Sequence, residues 1–87
     1  MDKETIILKL YNLMAVTSKY SLDSEEAKTY ALDIFNYMGI ADNPDKCKII
    51  FESYKQISKD LVSPETIDFK NSAIDFWYDN VLNIINQ

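Results

Sequence analysis

The chain has 87 residues, enough for one hydrophobic core, and its 47% apolar and 26% charged side chains exclude a disordered segment. Nine lysines face fourteen acids, with no arginine and no histidine, for a formal net charge of −5. A phosphate backbone repels such a chain unless its positive charge is segregated, and bidentate arginine readout of bases is absent, so nucleic acid is disfavoured as a partner, as is docking on anionic lipid.

One glycine and two prolines are too few for the many turns of a sandwich or barrel. The composition therefore predicts an all-α fold of a few long helices. No apolar run approaches the ~20 residues of a membrane span. Met1-Asp2-Lys3-Glu4 lacks the basic region and apolar stretch of a signal peptide, which reads as a cytoplasmic protein. Cys47, the single cysteine, cannot close an internal disulfide.

The first predicted helix covers residues 4–19. Ile6, Leu10, Leu13 and Thr17 recur at helical spacing, flanked by Ile7, Met14 and Tyr20, with Lys9, Asn12 and Lys19 on the other side. A second helix is predicted over 24–38. Asp23 is its expected N-cap, completed by Glu26 as a capping box, with Ser24 as the competing cap. Its expected core face is Ala27, Ala31, Ile34, Phe35 and Met38, and Gly39 stands where a left-handed residue would end it.

Asn43-Pro44 starts the third helix, 44–60, an asparagine cap before a proline at the first helical position. This helix presents Cys47, Ile50, Phe51, Tyr54, Ile57 and Leu61, and Cys47 reads as a small buried hydrophobe. Ser63-Pro64-Glu65 repeats the start signal for a fourth helix, 64–85. Short joints force sequential helices to run antiparallel. The expected architecture is a single helical domain, 1–87, built as an up-down-up-down antiparallel four-helix bundle.

Chemistry is sparse. Without histidine the commonest general base and metal ligand is missing, and a cysteine nucleophile has no imidazole partner. Asp75 and Asp79 are spaced i,i+4 but read best as solvated carboxylates. No glycine-rich phosphate loop or calcium loop is present. The reading is a non-catalytic protein with no cofactor and no metal. Tyr20-Ser21-Leu22-Asp23 with Glu26 is similar to the Ser-Leu-Asp stretch of acyl carrier proteins, which implies a phosphopantetheine arm on Ser21; Tyr20, however, stands where that family has Asp.

The fourth helix departs from the pattern of the others. Residues 60–87 hold Asp60, Glu65, Asp68, Asp75 and Asp79 against Lys70 alone, so −4 of the net −5 lies in the last third of the chain. At 100° per residue Ile67, Ile74, Tyr78, Val81 and Ile85 form the core stripe, with Leu82 and Trp77 at its edges. Phe69 and Phe76 fall on the opposite side, beside Ser72, Asp75, Asp79, Asn80 and Asn83. Two readings stay open: a central helix packed on two sides, with both phenylalanines in the core, or an aromatic anchor ringed by acids and amides. The second makes Phe69, Asp75, Phe76, Asp79, Asn80 and Asn83 the partner-binding residues, for a basic protein steered by the acids. Glu25, Glu26 and Asp33 of the second helix make a further acidic patch.

A short acidic helical chain carrying Asp-Phe-Trp-Tyr-Asp at 75–79 resembles the immunity proteins that neutralise bacterial toxins, of the colicin, contact-dependent-inhibition and bacteriocin types. The segment 57–77, with its Ser-Pro start, is similar to the four-helix immunity proteins against pediocin-type bacteriocins. The adjacent tyrosines of the DNase-type immunity proteins are absent. The resemblance implies stoichiometric inhibition of a basic, nuclease-type toxin, with Asp75 and Asp79 pairing its cations and Phe76 and Phe69 filling an apolar pocket. The alternatives are a phage- or plasmid-encoded regulatory adaptor and a homo-oligomeric bundle with Phe69 and Phe76 as its seam.

Overall fold

The computed structural model describes residues 2–60 and 67–87. It contains four α-helices, α1 (Lys3–Thr17), α2 (Glu25–Met38), α3 (Pro44–Asp60) and α4 (Ile67–Ile85), and no strand among the described residues. The all-α, four-helix expectation holds. Leu61 and the Ser63-Pro64-Glu65 start signal lie outside the described residues. The chain divides into two units, Met1–Pro44 and Asp45–Gln87, each a pair of helices in contact.

In the first unit α1 opens on Asp2, whose backbone is extended and whose carboxylate accepts the Thr5 amide at 3.2 Å and the Thr5 hydroxyl at 2.7 Å. The helix ends at Thr17, two residues short of expectation, and the hydrogen bonds change pattern there. Thr17 Oγ1 donates to the Leu13 and Met14 carbonyls and Ser18 Oγ to Ala15, while the amides of Lys19 and Tyr20 both turn back to Val16. The Lys19 amide, which a continuing helix would give to Ala15, goes to Val16, and the Ser18 hydroxyl satisfies the Ala15 carbonyl in its place.

The N-cap of α2 is Ser24, not Asp23. Ser24 is extended (φ −69°, ψ 157°) and its Oγ accepts the Ala27 amide at 3.2 Å. With the cap moved by one residue, Ala27 takes the third helical position, and Glu26 cannot close a capping box. The other end follows expectation. Gly39 has φ +74°, its amide donates to Asn36 and the Ile40 amide donates to Phe35, the paired bonds of a Schellman motif.

The two helices run antiparallel, since the Asp2 amide meets the Tyr37 hydroxyl and Lys9 Nζ reaches Asp33 at 2.7 Å. Their buried stripes are Ile6, Leu10 and Leu13 on α1 and Ala27, Ala31, Ile34 and Met38 on α2, with Ile40 beyond. Each fully buried leucine or isoleucine contributes about 1.5–3 kcal/mol. Phe35 is half-buried rather than core, at the edge of its stripe.

The second unit is also an antiparallel hairpin. Lys46 Nζ, in the first turn of α3, donates to the Ile85 carbonyl at 2.8 Å, in the last turn of α4. α3 buries Ile50, Tyr54 and Ile57, and Phe51 stacks on Tyr54 with ring centroids 5.9 Å apart. Cys47 is half-buried, a correction to the buried reading: it shares the row of Tyr54 but stands in the first turn of α3. α4 buries Ile74, Trp77, Tyr78 and Val81, while Leu82 and Ile85 are half-buried. Among the described residues no helix is long and apolar enough to cross a membrane.

Candidate functional site

The stripe of α4 that faces inward determines what faces outward. With Ile74, Trp77, Tyr78 and Val81 buried, a 3.6-residue period carries Phe69 and Phe76 to solvent. Phe69 is 48% exposed and Phe76 72% exposed, the latter more open than any other large hydrophobic residue described. Of the two readings the sequence allows, the core one is excluded for both rings.

Phe69, Phe76 and Asn83 recur every seventh residue, so they form one row with steps of about 10 Å along the helix. Asp68, Asp75 and Asp79 form a second exposed row roughly a quarter-turn away. Ser72 lies between the rows, and Asn80, half-buried, borders the first row on its other side. All six residues expected to bind a partner therefore share one side of α4, five of them exposed and Asn80 partly so. Among the described residues Asp79 makes no ion pair, so its charge is available to an outside cation.

The acidic patch expected on α2 differs. Asp33 is held by Lys9 at 2.7 Å, with the same ammonium 5.5 Å from the centre of the Tyr37 ring, and Glu25 has Lys28 at 3.7 Å. The chain's own lysines offset two of the three acids of this patch, Asp33 and Glu25.

Beside the exposed row lies a cleft that the periodicity of one helix could not reveal. Ser53, Gln56 and Ile57 of α3 and Ala73, Phe76, Trp77 and Asn80 of α4 enclose about 140 Å³. Phe76 therefore has two roles in shape, exposed ridge and cleft wall. Trp77, 3% exposed, is part of the same wall, and its buried indole Nε1 has no hydrogen-bond acceptor among the described residues. An unpaired buried donor costs about 1–3 kcal/mol, less than the roughly 4–6 kcal/mol that burying the indole contributes.

Among the described residues no three cysteine or acidic side chains gather as a metal site would require. Ser21, the residue of the carrier-protein resemblance, is exposed in the joint before Ser24. The first hairpin also carries exposed apolar side chains that sequence periodicity had not singled out, including Leu8, Tyr11, Tyr30 and Leu32. Compared with protein-family models, curated proteins and solved structures, the chain matches none.

Proposed function

We propose that this chain is a non-catalytic inhibitor of the immunity-protein type, which covers a basic, nuclease-type toxin domain in the cytoplasm through the acidic, aromatic face of α4. The observation that carries the reading is Phe76. A 72% exposed phenylalanine gains little in the folded chain alone, and it stands beside the exposed row of Asp75 and Asp79. Interfaces concentrate their energy in aromatic anchors with a polar rim, and acids around such an anchor speed the approach of a cationic partner. Phe69 extends the same ridge, and Asn80 and Asn83 supply amides that can pair with partner main chain.

The test is affinity capture from the native host with the wild-type chain and a Phe76→Ala/Asp79→Lys double variant. The reading requires a basic partner that the wild type recovers and the double variant loses, with retention falling as salt rises. Equal recovery of that partner by both proteins at moderate salt rejects the α4 face. The exposed phenylalanines also suit a homodimer seam. Sedimentation giving twice the monomer mass, reduced to monomer by Phe76→Ala, would move the reading there.

A further inference from the structure

We propose that the outward face of α1 is a seam for a second copy of this chain, docked antiparallel about a twofold axis. It stands independently of the reading of α4.

α1 is apolar on two sides. Ile6, Leu10 and Leu13 are buried, and the helical period carries Leu8, Tyr11 and Ala15 about half a turn away from them. Leu8 is 62% exposed and Tyr11 42%, and Ala15 is exposed beside them. A helix that is apolar all round is normally covered all round, yet the single chain covers only the inner side of this one. The polar members of the outward face are equally unengaged. The side chains of Glu4, Tyr11, Asn12 and Lys19 make no ion pair or hydrogen bond among the described residues, whereas Lys9 on the flank is held by Asp33.

The order of residues along the face selects the occupant. Counted from the midpoint between Tyr11 and Asn12, Leu8 and Glu4 stand as far to one side as Ala15 and Lys19 do to the other. Ser18 keeps helical backbone angles (φ −72°, ψ −22°), so Lys19 continues the row, and it borders the same surface depression as Asn12 and Ala15. A second α1 laid antiparallel therefore sets Glu4 against Lys19 of the other copy, Leu8 over its small Ala15, and the Tyr11 hydroxyl beside its Asn12 amide. Each match occurs twice, as a twofold interface requires. A parallel pair would oppose Glu4 to Glu4 and Lys19 to Lys19.

Charge favours this helix over α4 for the purpose. Residues 1–20 hold Lys3, Lys9 and Lys19 against Asp2 and Glu4, so two copies meet there without an excess of acid. Two α4 helices would bring Asp68, Asp75 and Asp79 against the same three acids. One helix pair buries less than the roughly 1,600 Å² of a standard interface, so the dimer is expected to dissociate at about 10–100 µM.

Sedimentation equilibrium of the full chain from about 1 µM to about 1 mM tests this, with circular dichroism to verify that each variant stays folded. The average mass is expected to rise from one chain toward two. Leu8→Gln, which keeps a good helix former, is expected to weaken association by about tenfold. Glu4→Lys alone and Lys19→Glu alone are each expected to weaken it by about fivefold, and the two together to restore it. Phe76→Ala is expected to leave it unchanged.

A monomer at every concentration overturns the seam. A dimer that Phe76→Ala weakens and Leu8→Gln does not also overturns it, and places the contact on α4. A dimer sensitive to Leu8→Gln but indifferent to both charge reversals overturns the antiparallel arrangement.

Discussion

Phe76 and Trp77 are consecutive residues with opposite surroundings, one ring 72% exposed and the next 3% exposed. A helix turns about 100° per residue, which is enough to carry one aromatic out of the protein and its neighbour into it. The contrast gives a direct measure of the structure. Trp77→Ala is expected to destabilise the fold by about 3–5 kcal/mol, and Phe76→Ala by no more than about 0.5 kcal/mol. Urea unfolding followed by circular dichroism checks both, and a Phe76→Ala cost near that of Trp77→Ala would contradict the exposure of Phe76.

Lys46 connects the two ends of the second hairpin. Its ammonium donates to the Ile85 carbonyl at 2.8 Å and lies 3.4 Å from the Gln87 main-chain oxygen. The last turn of α4 has no basic residue of its own, so Lys46 supplies both a proton donor and a favourable charge for the negative end of the helix dipole. Lys46→Met keeps the aliphatic stem and is expected to cost about 1 kcal/mol. Amide exchange in the final turn of α4 should accelerate more than in α1.

Gly39 is the only residue described with positive φ, at +74°. Nothing lies within 4 Å of the position a Cβ would occupy, so any cost of a side chain there comes from the backbone alone. Gly39→Ala is expected to destabilise by about 1–2 kcal/mol and Gly39→Asn by less, because asparagine tolerates the left-handed region. Thermal unfolding of the two variants gives the order. Equal costs would indicate crowding where the structure has open space.

Asp2 has its carboxyl held below the usual aspartate value of 3.8, chiefly by the hydrogen bond from the Thr5 hydroxyl, with the Thr5 amide adding to it. A group with a lowered folded pKa stabilises above its unfolded pKa and loses that contribution as pH falls through the folded one. The cap on α1 should therefore be intact at neutral pH and fray as the solution is acidified below about pH 4. Exchange of the Thr5 amide across that range reports it, and Asp2→Asn is expected to remove the pH dependence.

Local signals carried most of the secondary structure. Gly39 ends α2 because only a residue without a Cβ enters the left-handed region cheaply, and Pro44 starts α3 because its missing amide is an orphan there in any case. The choice between Asp23 and Ser24 was not legible, since both can cap and the decision depends on which backbone is extended at the joint. At the early end of α1 the Ser18 hydroxyl takes the Ala15 carbonyl, a rotamer choice that residue types leave open.

The candidate site divides along the same line. Which residues share a side of α4 follows from helical period alone, so Phe69, Asp75, Phe76, Asp79, Asn80 and Asn83 could be grouped before any coordinates. Whether that side meets solvent or another helix could not be decided, because periodicity describes one helix and exposure depends on what lies against it. The same holds for the pairing of Asp33 with Lys9, the reach of Lys46 to Ile85, and the cleft of Ser53, Gln56 and Ile57 against Ala73, Phe76 and Trp77. Sequence by itself determined an acidic four-helix chain and the composition of its fourth helix. Tertiary structure alone decided that Phe76 stands in solvent while Trp77 is buried beside a cleft, because burial is a property of packed pairs of elements and not of any one of them.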